Sequence, residues 1–108
     1  MDKWVLTVGT NCLDAAQEKE FNDWYDNIHL PDVLETPGFT GAVRYENPNP
    51  AEGEAKYLAL YQIETDDIDE TMKQSGENLG KKREAGRISP LLQLASRGLY
   101  KQIGSLYK

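Results

Sequence analysis

The stretch FNDWYDNIHLPDVLETPGF, residues 21–39, decides how the chain is organised. Its first apolar residues are spaced i, i+3, i+4, i+7, which predicts an amphipathic helix whose buried stripe is Phe21, Trp24, Tyr25 and Ile28. Pro31 biases Leu30 away from helical geometry, so the helix is predicted to end there and to restart as a short turn from Pro31 to Glu35. Pro37-Gly38 then forms a turn that leads into a strand.

On both sides of this segment, β-rich and helical patterns follow one another along the chain. Asp14 and Gln17 have the spacing of a capping box and predict that the first helix opens at Asp14. The other predicted elements are strands over Trp4–Thr10, Phe39–Glu46, Lys56–Ile63 and Leu91–Ile103, a second helix from Thr65 to about Leu79, and a basic helix tail or loop over Lys81–Arg87.

The order β-α-β-β-α-β predicts an α+β fold of the ferredoxin-like type, a single domain over residues 1–108 with a four-stranded antiparallel sheet and both helices on one face. Because side chains alternate along a strand, Leu6 and Val8 face one side of the sheet and Val5 faces the other. In the same way, Leu58 and Leu60 face away from Tyr57 and Tyr61. Both faces of the sheet are therefore apolar, and the helices can cover only one. An uncovered apolar face is costly, at about 25 cal/mol per Å². A second copy packed on it would make a homodimer, a dimeric α+β barrel.

Composition narrows the functional classes. The chain has 108 residues, 39% hydrophobic and 28% charged, which is typical of one globular domain and excludes disorder. One cysteine and one histidine exclude an internal disulfide and the usual zinc sets, so we expect no metal. No glycine-rich phosphate loop or GxSxG motif occurs, so no cofactor is predicted. No apolar run is long enough for a signal peptide or a membrane span, which favours the cytoplasm and no membrane partner.

The charge is distributed unevenly. Residues 1–70 hold four basic and sixteen acidic side chains, whereas residues 71–108 hold eight basic and two acidic ones, for a net charge of −6. The two halves can attract each other, or the cluster Lys81-Lys82-Arg83 with Arg87 can bind an anion. The basic cluster lacks interleaved aromatics and the whole chain is acidic, so nucleic acid is excluded as a partner.

His29 is the first candidate for chemistry, because imidazole is the natural acid or base at neutral pH. Tyr25 lies four residues earlier on the same helix face and can donate to a developing oxyanion. A position near the end of a helix would favour the imidazolium form of His29. The alternative is that His29 bonds locally and only helps to end the helix.

Four further residues are candidates for substrate binding. Trp24 and Phe21 can line an aromatic pocket, although aromatics at helical spacing also form plain core. Arg44 and Tyr61 lie on the middle strands. Alternation turns Arg44 and Tyr45 in opposite directions, so that one of these two reaches a pocket and the other solvent; cross-strand packing is the alternative for Tyr61.

The aromatic pair Trp24-Tyr25, the His29-x-Pro31 at the end of the helix and the Pro37-Gly38 before the strand together resemble the dimeric α+β barrel superfamily, in particular its EthD-like and stress-responsive A/B barrel members. The resemblance implies a homodimer with a small-molecule pocket between sheet and helices, in which a histidine and tyrosines act as acid, base or oxyanion donor.

Three functions follow from this resemblance. The first is a small cofactor-independent lyase, isomerase or cyclase that moves a proton on an aromatic or polyketide-like molecule, with His29 and Tyr25 as catalytic residues. The second is a cofactor-independent monooxygenase acting on a phenol. The third is a non-catalytic ligand-binding or stress protein. The family also includes haem-degrading enzymes, but a lone histidine does not match their typical ligand arrangement.

Overall fold

A computed structural model describes residues 1–107, which form the predicted four-stranded antiparallel sheet with the helices packed on one face. The strand order is β2-β3-β1-β4. In chain order the elements are β1 (Asp2–Cys12), a 3-10 turn (Ala15–Gln17), α1 (Glu18–Trp24), a π-turn (Tyr25–His29), α2 (Leu30–Val33), β2 (Phe39–Glu46), β3 (Tyr57–Thr65), α3 (Ile68–Glu84) and β4 (Leu92–Lys101).

The core lies between the helices and one face of the two central strands. Leu6 of β1 pairs with Tyr61 of β3, and both side chains are buried. Phe21 and Tyr25 pack onto this face from the first helical segment. The period-2 alternation of the strands, with every second residue turned to the helices, produces this core.

The opposite sheet face has no helix on it. Its cross-strand pairs include Tyr45 with Leu58 and Val5 with Tyr100. Tyr45 is 53% exposed and Tyr100 is 61% exposed, which is unusual for large apolar side chains in a well-formed sheet. We call this surface, formed by Val43, Tyr45, Leu58 and Tyr100, the bare face.

The first helix differs from the prediction at Leu30. It does not end there, because α1, the π-turn and α2 form one continuous helical segment in which the Leu30 N–H donates to the Tyr25 carbonyl. A proline ring inside a regular helix clashes with the carbonyl four residues before it. The wider π-turn just before Pro31 relieves that clash, so the chain continues past the proline.

Several element bounds also shift. Asp14 caps the 3-10 turn instead of opening the α-helix directly, with its carboxylate accepting from the Ala16 N–H at 2.9 Å. The helix α3 begins after its cap Asp67 and runs to Glu84, five residues beyond the predicted end at Leu79. Basic side chains in its last turn complement the helix dipole, which favours this extension. In the described part of the chain, no helix has the length and apolar character needed to cross a membrane.

Candidate functional site

A cavity of about 230 Å³ lies between the sheet and the helices. Most of its wall is apolar, and a few polar side chains project into it, which is typical of small-molecule sites. It is lined by Leu6, Val8, Thr10, Tyr25, His29, Val33, Tyr61, Ser75, Leu79, Arg83, Ile88, Leu92, Leu94 and Arg97. We call the deep part formed by Thr10, Tyr25, His29 and Tyr61 the inner end, because all four side chains are buried.

The π-turn positions the two helical residues of the inner end. Tyr25 and His29 are its first and last residues, and their rings meet edge to face with centroids 4.9 Å apart. The indole of Trp24 stacks on the imidazole, with ring centroids 4.7 Å apart and ring planes 22° apart. Two aromatic contacts therefore fix the His29 ring. A π-turn inside an α-helix is frequent at functional sites, where it re-aims side chains.

Two polar atoms at the inner end are buried without a hydrogen-bond partner among residues 1–107, namely His29 Nδ1 and Thr10 Oγ1. Such orphaned groups are rare because each costs about 1–3 kcal/mol of desolvation. Both atoms belong to residues that line the same cavity.

His29 is neutral at physiological pH. Burial lowers its pKa to about 4; the nearby Asp32 carboxylate partly opposes this effect, and the Arg44 guanidinium adds to it. The expectation that a helix end favours imidazolium is therefore wrong, because the helix continues past His29 and desolvation dominates. A neutral imidazole accepts a proton, so the arrangement suits a base.

The two phenols at the inner end remain protonated. Burial raises the pKa of Tyr25, against smaller opposing effects of the Tyr61 hydroxyl and the Arg44 charge. Burial also raises the pKa of Tyr61, and the neighbouring Tyr25 raises it further. Both hydroxyls therefore keep their protons and can donate hydrogen bonds to an oxygen in the cavity.

The structure brings together His29, Tyr25 and Tyr61 but places the other predicted site residues behind or beside the cavity. Phe21 is fully buried and packs edge to face on Tyr25 at 5.7 Å. The Arg44 guanidinium lies 4.1 Å from the centre of the Tyr25 ring. It also donates to Asp26 and Asn22, so it stands behind Tyr25.

Trp24, which was predicted to line the pocket, is not part of the cavity wall and instead lines a wider groove on the outside of the helix. Its indole Nε1 donates to the Arg87 carbonyl at 2.9 Å, which fixes the loop after α3. The Arg87 side chain donates two hydrogen bonds to the buried Asp32 carboxylate, at 2.7 and 3.1 Å. This bond holds the pKa of Asp32 below its ordinary value.

The sequence analysis missed three polar residues of the cavity, Thr10, Ser75 and Arg97, and named Arg83 only as part of the basic cluster. Strand alternation could have found Thr10, which shares the face of Leu6 and Val8. Helical spacing could have found Ser75 and Arg83, which lie four residues either side of Leu79 on α3. The position of Arg97 in the cavity wall depends on the pairing of β4 with β1, which no local sequence pattern determines.

No cluster of three or more His, Cys, Asp or Glu side chains that could hold a metal ion is found over residues 1–107. What the inner end offers instead is one proton acceptor, two phenolic donors and a hydroxyl in an apolar surrounding. This set can take a proton from a bound molecule and stabilise the resulting oxyanion.

Comparisons with known proteins give a family and a fold. The family described as "Domain of unknown function (DUF4286)" matches residues 5–85. A curated relative, "Core atranone cluster (CAC) protein 1" of Stachybotrys chlorohalonatus, is 45% identical over 47 residues, which are 44% of this chain and 20% of that protein. The chain thus matches only about a fifth of the length of this relative.

Two solved structures share the fold over nearly the whole chain. SnoaB of Streptomyces nogalater, described as a cofactor-independent oxygenase, is 13% identical, covers 100% of both chains and has a TM-score of 0.71. A dimeric ferredoxin-like protein from an uncultured marine organism is 9% identical, covers 98% of this chain and 100% of its own, and has a TM-score of 0.65. At these identities the likeness shows the ferredoxin-like α+β fold alone.

Proposed function

We propose that this chain, which belongs to the DUF4286 family of domains of unknown function, is a small-molecule enzyme that removes a proton from its substrate. The substrate class is an aromatic or polyketide-like molecule with an acidic C–H or O–H beside an oxygen. One observation carries the proposal: a neutral, orphaned His29 shares a mostly apolar cavity with the protonated phenols of Tyr25 and Tyr61.

Each residue has one role in this step. His29 accepts the proton, and the stacked Trp24 holds its ring in place. Tyr25 and Tyr61 donate to the substrate oxygen as negative charge develops on it, a stabilisation that is strongest where water is excluded. The apolar lining, including Leu6 and Val33, excludes water and holds the hydrocarbon part of the substrate.

The low pKa of His29 is compatible with its role as a base. Burial disfavours the isolated imidazolium, but the proton transfer creates the imidazolium and the oxyanion together. Opposite charges a few ångströms apart in a poorly solvated cavity attract strongly, so the basicity of His29 rises as the oxyanion forms. Asp32 adds to this effect, since its carboxylate already favours the protonated ring.

A lyase, isomerase or cyclase completes its reaction from the oxyanion directly. In a cofactor-independent monooxygenase the same electron-rich anion is the reductant for O₂: one oxygen atom enters the ring, which is oxidised to a quinone, and the other leaves as water. The likeness to SnoaB favours this as the second candidate. The EthD-like assignment and a cytoplasmic location belong to the same proposal; the single, unpaired Cys12 is consistent with a reducing compartment.

A second copy of the chain covers the bare face in this proposal. The face carries four large, exposed apolar side chains on β2, β3 and β4, and a structurally similar protein is described as dimeric. Packing the two sheets face to face buries these side chains and gives the homodimeric barrel. The cavity lies on the opposite side of the sheet, so each subunit has its own site.

Hydrogen–deuterium exchange tests the reaction. The probe is 2-tetralone, an enolisable bicyclic ketone, followed by NMR in D₂O with the wild-type protein and with His29→Gln. We expect exchange at the carbon between the ring and the carbonyl with the wild type only. Exchange that is no faster than in buffer, or is equally fast with the variant, contradicts the proposal. Oxygen uptake with 1,3-dihydroxynaphthalene, an electron-rich phenol, separates the monooxygenase from the other enzymes.

Sedimentation equilibrium at micromolar concentration tests the assembly. The wild type is expected at about twice the chain mass of 12.2 kDa. Leu58→Asp places a charge in the bare face and should give a folded monomer, whereas Leu13→Asp, at an exposed position outside that face, should remain dimeric. A wild-type monomer at this concentration would disprove the barrel.

A further inference from the structure

The basic cluster singled out in the sequence divides in the structure. Lys82 pairs with Glu35 at 2.9 Å, and Arg87 pairs with the buried Asp32. These two contacts confirm that the acidic and basic halves of the chain attract each other within the fold. Arg83, between them, forms no ion pair within the described residues and instead lines the cavity.

The helix geometry explains why Arg83 differs from its neighbours. Ser75, Leu79 and Arg83 follow one another at four-residue intervals on α3, so they share one helix face, and all three line the cavity. Lys82 lies about 100° around the helix and reaches Glu35 after α2.

A second arginine lines the same cavity from the other side. Arg97 of the edge strand β4 pairs with Val8 of β1, so both side chains point to the helix face of the sheet. Arg97 is exposed, lies in the cavity lining and has no ion-pair partner among residues 1–107. We call Arg83 and Arg97 the mouth arginines.

We infer that the substrate is a carboxylate whose apolar body enters the cavity while its anionic group is bound at the opening by the mouth arginines. Both guanidinium groups line one mostly apolar cavity and have no acidic partner among residues 1–107, so both charges are available to an anion there. A planar carboxylate matches the fork geometry of arginine and can accept paired hydrogen bonds. This inference rests on the proposed function for the site, and it adds the chemical class of the ligand and the residues that select it.

Polarity along the cavity supports this orientation. The mouth arginines are exposed, whereas the inner end holds buried groups that are neutral at pH 7. A carboxylate at the inner end would lose its hydration without gaining a cation there. At the opening it keeps part of its hydration and gains two cations, so the reacting part of the molecule is directed toward His29.

Binding of 2-naphthoate and of 2-naphthamide, which have the same rings but differ in charge, tests the inference by calorimetry. We expect the wild type to bind naphthoate at least tenfold more tightly than naphthamide. Arg83→Gln and Arg97→Gln should each weaken naphthoate binding roughly 3- to 10-fold, the net worth of one ordinary hydrogen bond, and leave naphthamide binding unchanged. Lys81→Gln, at an exposed position on the same helix outside the cavity lining, is the matched control and should bind both as the wild type does.

Equal affinity for the two probes, no binding of naphthoate, or arginine variants that behave like Lys81→Gln would each overturn the inference. The outcome is separable from that of the proposed reaction. His29→Gln should still prefer naphthoate, so a preference without tetralone exchange contradicts only the proton-transfer function. Exchange without the preference contradicts only the carboxylate assignment.

Discussion

The inner end and the mouth of the cavity are built from different parts of the fold. Tyr25, His29 and Tyr61 at the inner end are 1%, 7% and 2% exposed, and come from the first helical segment and a central strand. The mouth arginines are exposed and come from the last turn of α3 and an edge strand. Buried side chains hold the groups that the proposed reaction needs, whereas exposed charged side chains stand at the proposed entrance for the ligand. The difference predicts that inner-end variants change the rate and mouth variants change the affinity.

The largest expected effect comes from His29→Gln. The variant keeps a polar side chain of similar size but cannot accept the proton, so tetralone exchange should slow roughly 10²–10⁴-fold, the usual worth of a general base. Naphthoate affinity should change less than about threefold, because its carboxylate lies at the mouth. The exchange rate is measured by NMR on samples quenched at set times, and the affinity is measured by calorimetry. A variant that loses affinity but keeps its rate would reverse the assignment of the two regions.

Acid should destabilise the protein through the inner end and not through the mouth. The folded pKa of His29 is about 4 and its ordinary value is 6.5, so the unfolded chain takes up the proton first as the pH falls. Stability from the neutral ring is complete above pH 6.5 and is lost toward pH 4, by about 3 kcal/mol in all. Urea unfolding at pH 7 and pH 4.5 measures the loss.

His29→Gln should lose less stability than the wild type over this interval, because its side chain does not titrate. Lys81→Gln should follow the wild type, since the exposed Lys81 side chain lies outside the cavity. An identical loss in all three proteins would show that His29 takes up its proton over the same pH range in the folded and the unfolded chain, and would contradict a lowered pKa.

Removal of the phenolic hydroxyls gives a smaller effect. Tyr25→Phe and Tyr61→Phe each remove one hydrogen bond to the developing oxyanion, so tetralone exchange should slow roughly 10- to 100-fold. The double variant should lose less than the product of the two, because the hydroxyls interact with each other. Tyr45→Phe on the bare face is the control and should leave the rate unchanged. Rates as high as the wild type in both single variants would exclude the phenols as oxyanion donors.

The order and type of the elements were predictable from the sequence because each depends on local periodicity. Alternating apolar residues in β1 and β3 and the i, i+3, i+4, i+7 stripe after Phe21 report which side of an element faces a core. Phe39–Glu46 matches the predicted strand at both ends. The end of α3 was missed because charged residues beyond Leu79 continue a helix without any apolar signal.

The composition of the inner end was partly predictable. His29 and Tyr25 are four residues apart on one helix and share a face even though the turn between them is widened to a π-turn. Tyr61 was identified only as one of several strand residues, because its contact with Tyr25 depends on how the helix packs on the sheet. Phe21 and Arg44 were predicted to bind substrate from the same patterns, but the fold places them behind Tyr25.

The sequence by itself determined the βαββαβ order, the apolar character of both sheet faces, and the pair His29 and Tyr25. Only the tertiary structure decided that His29 is neutral, that Lys82 and Arg87 are paired while Arg83 is free to line the cavity, and that Arg97 joins it there. The physical reason is the separation along the chain over which each kind of interaction acts. Periodicity and turn chemistry act over a few residues, whereas desolvation and ion pairing depend on neighbours that are distant in the chain, as in the 55 residues between Asp32 and Arg87.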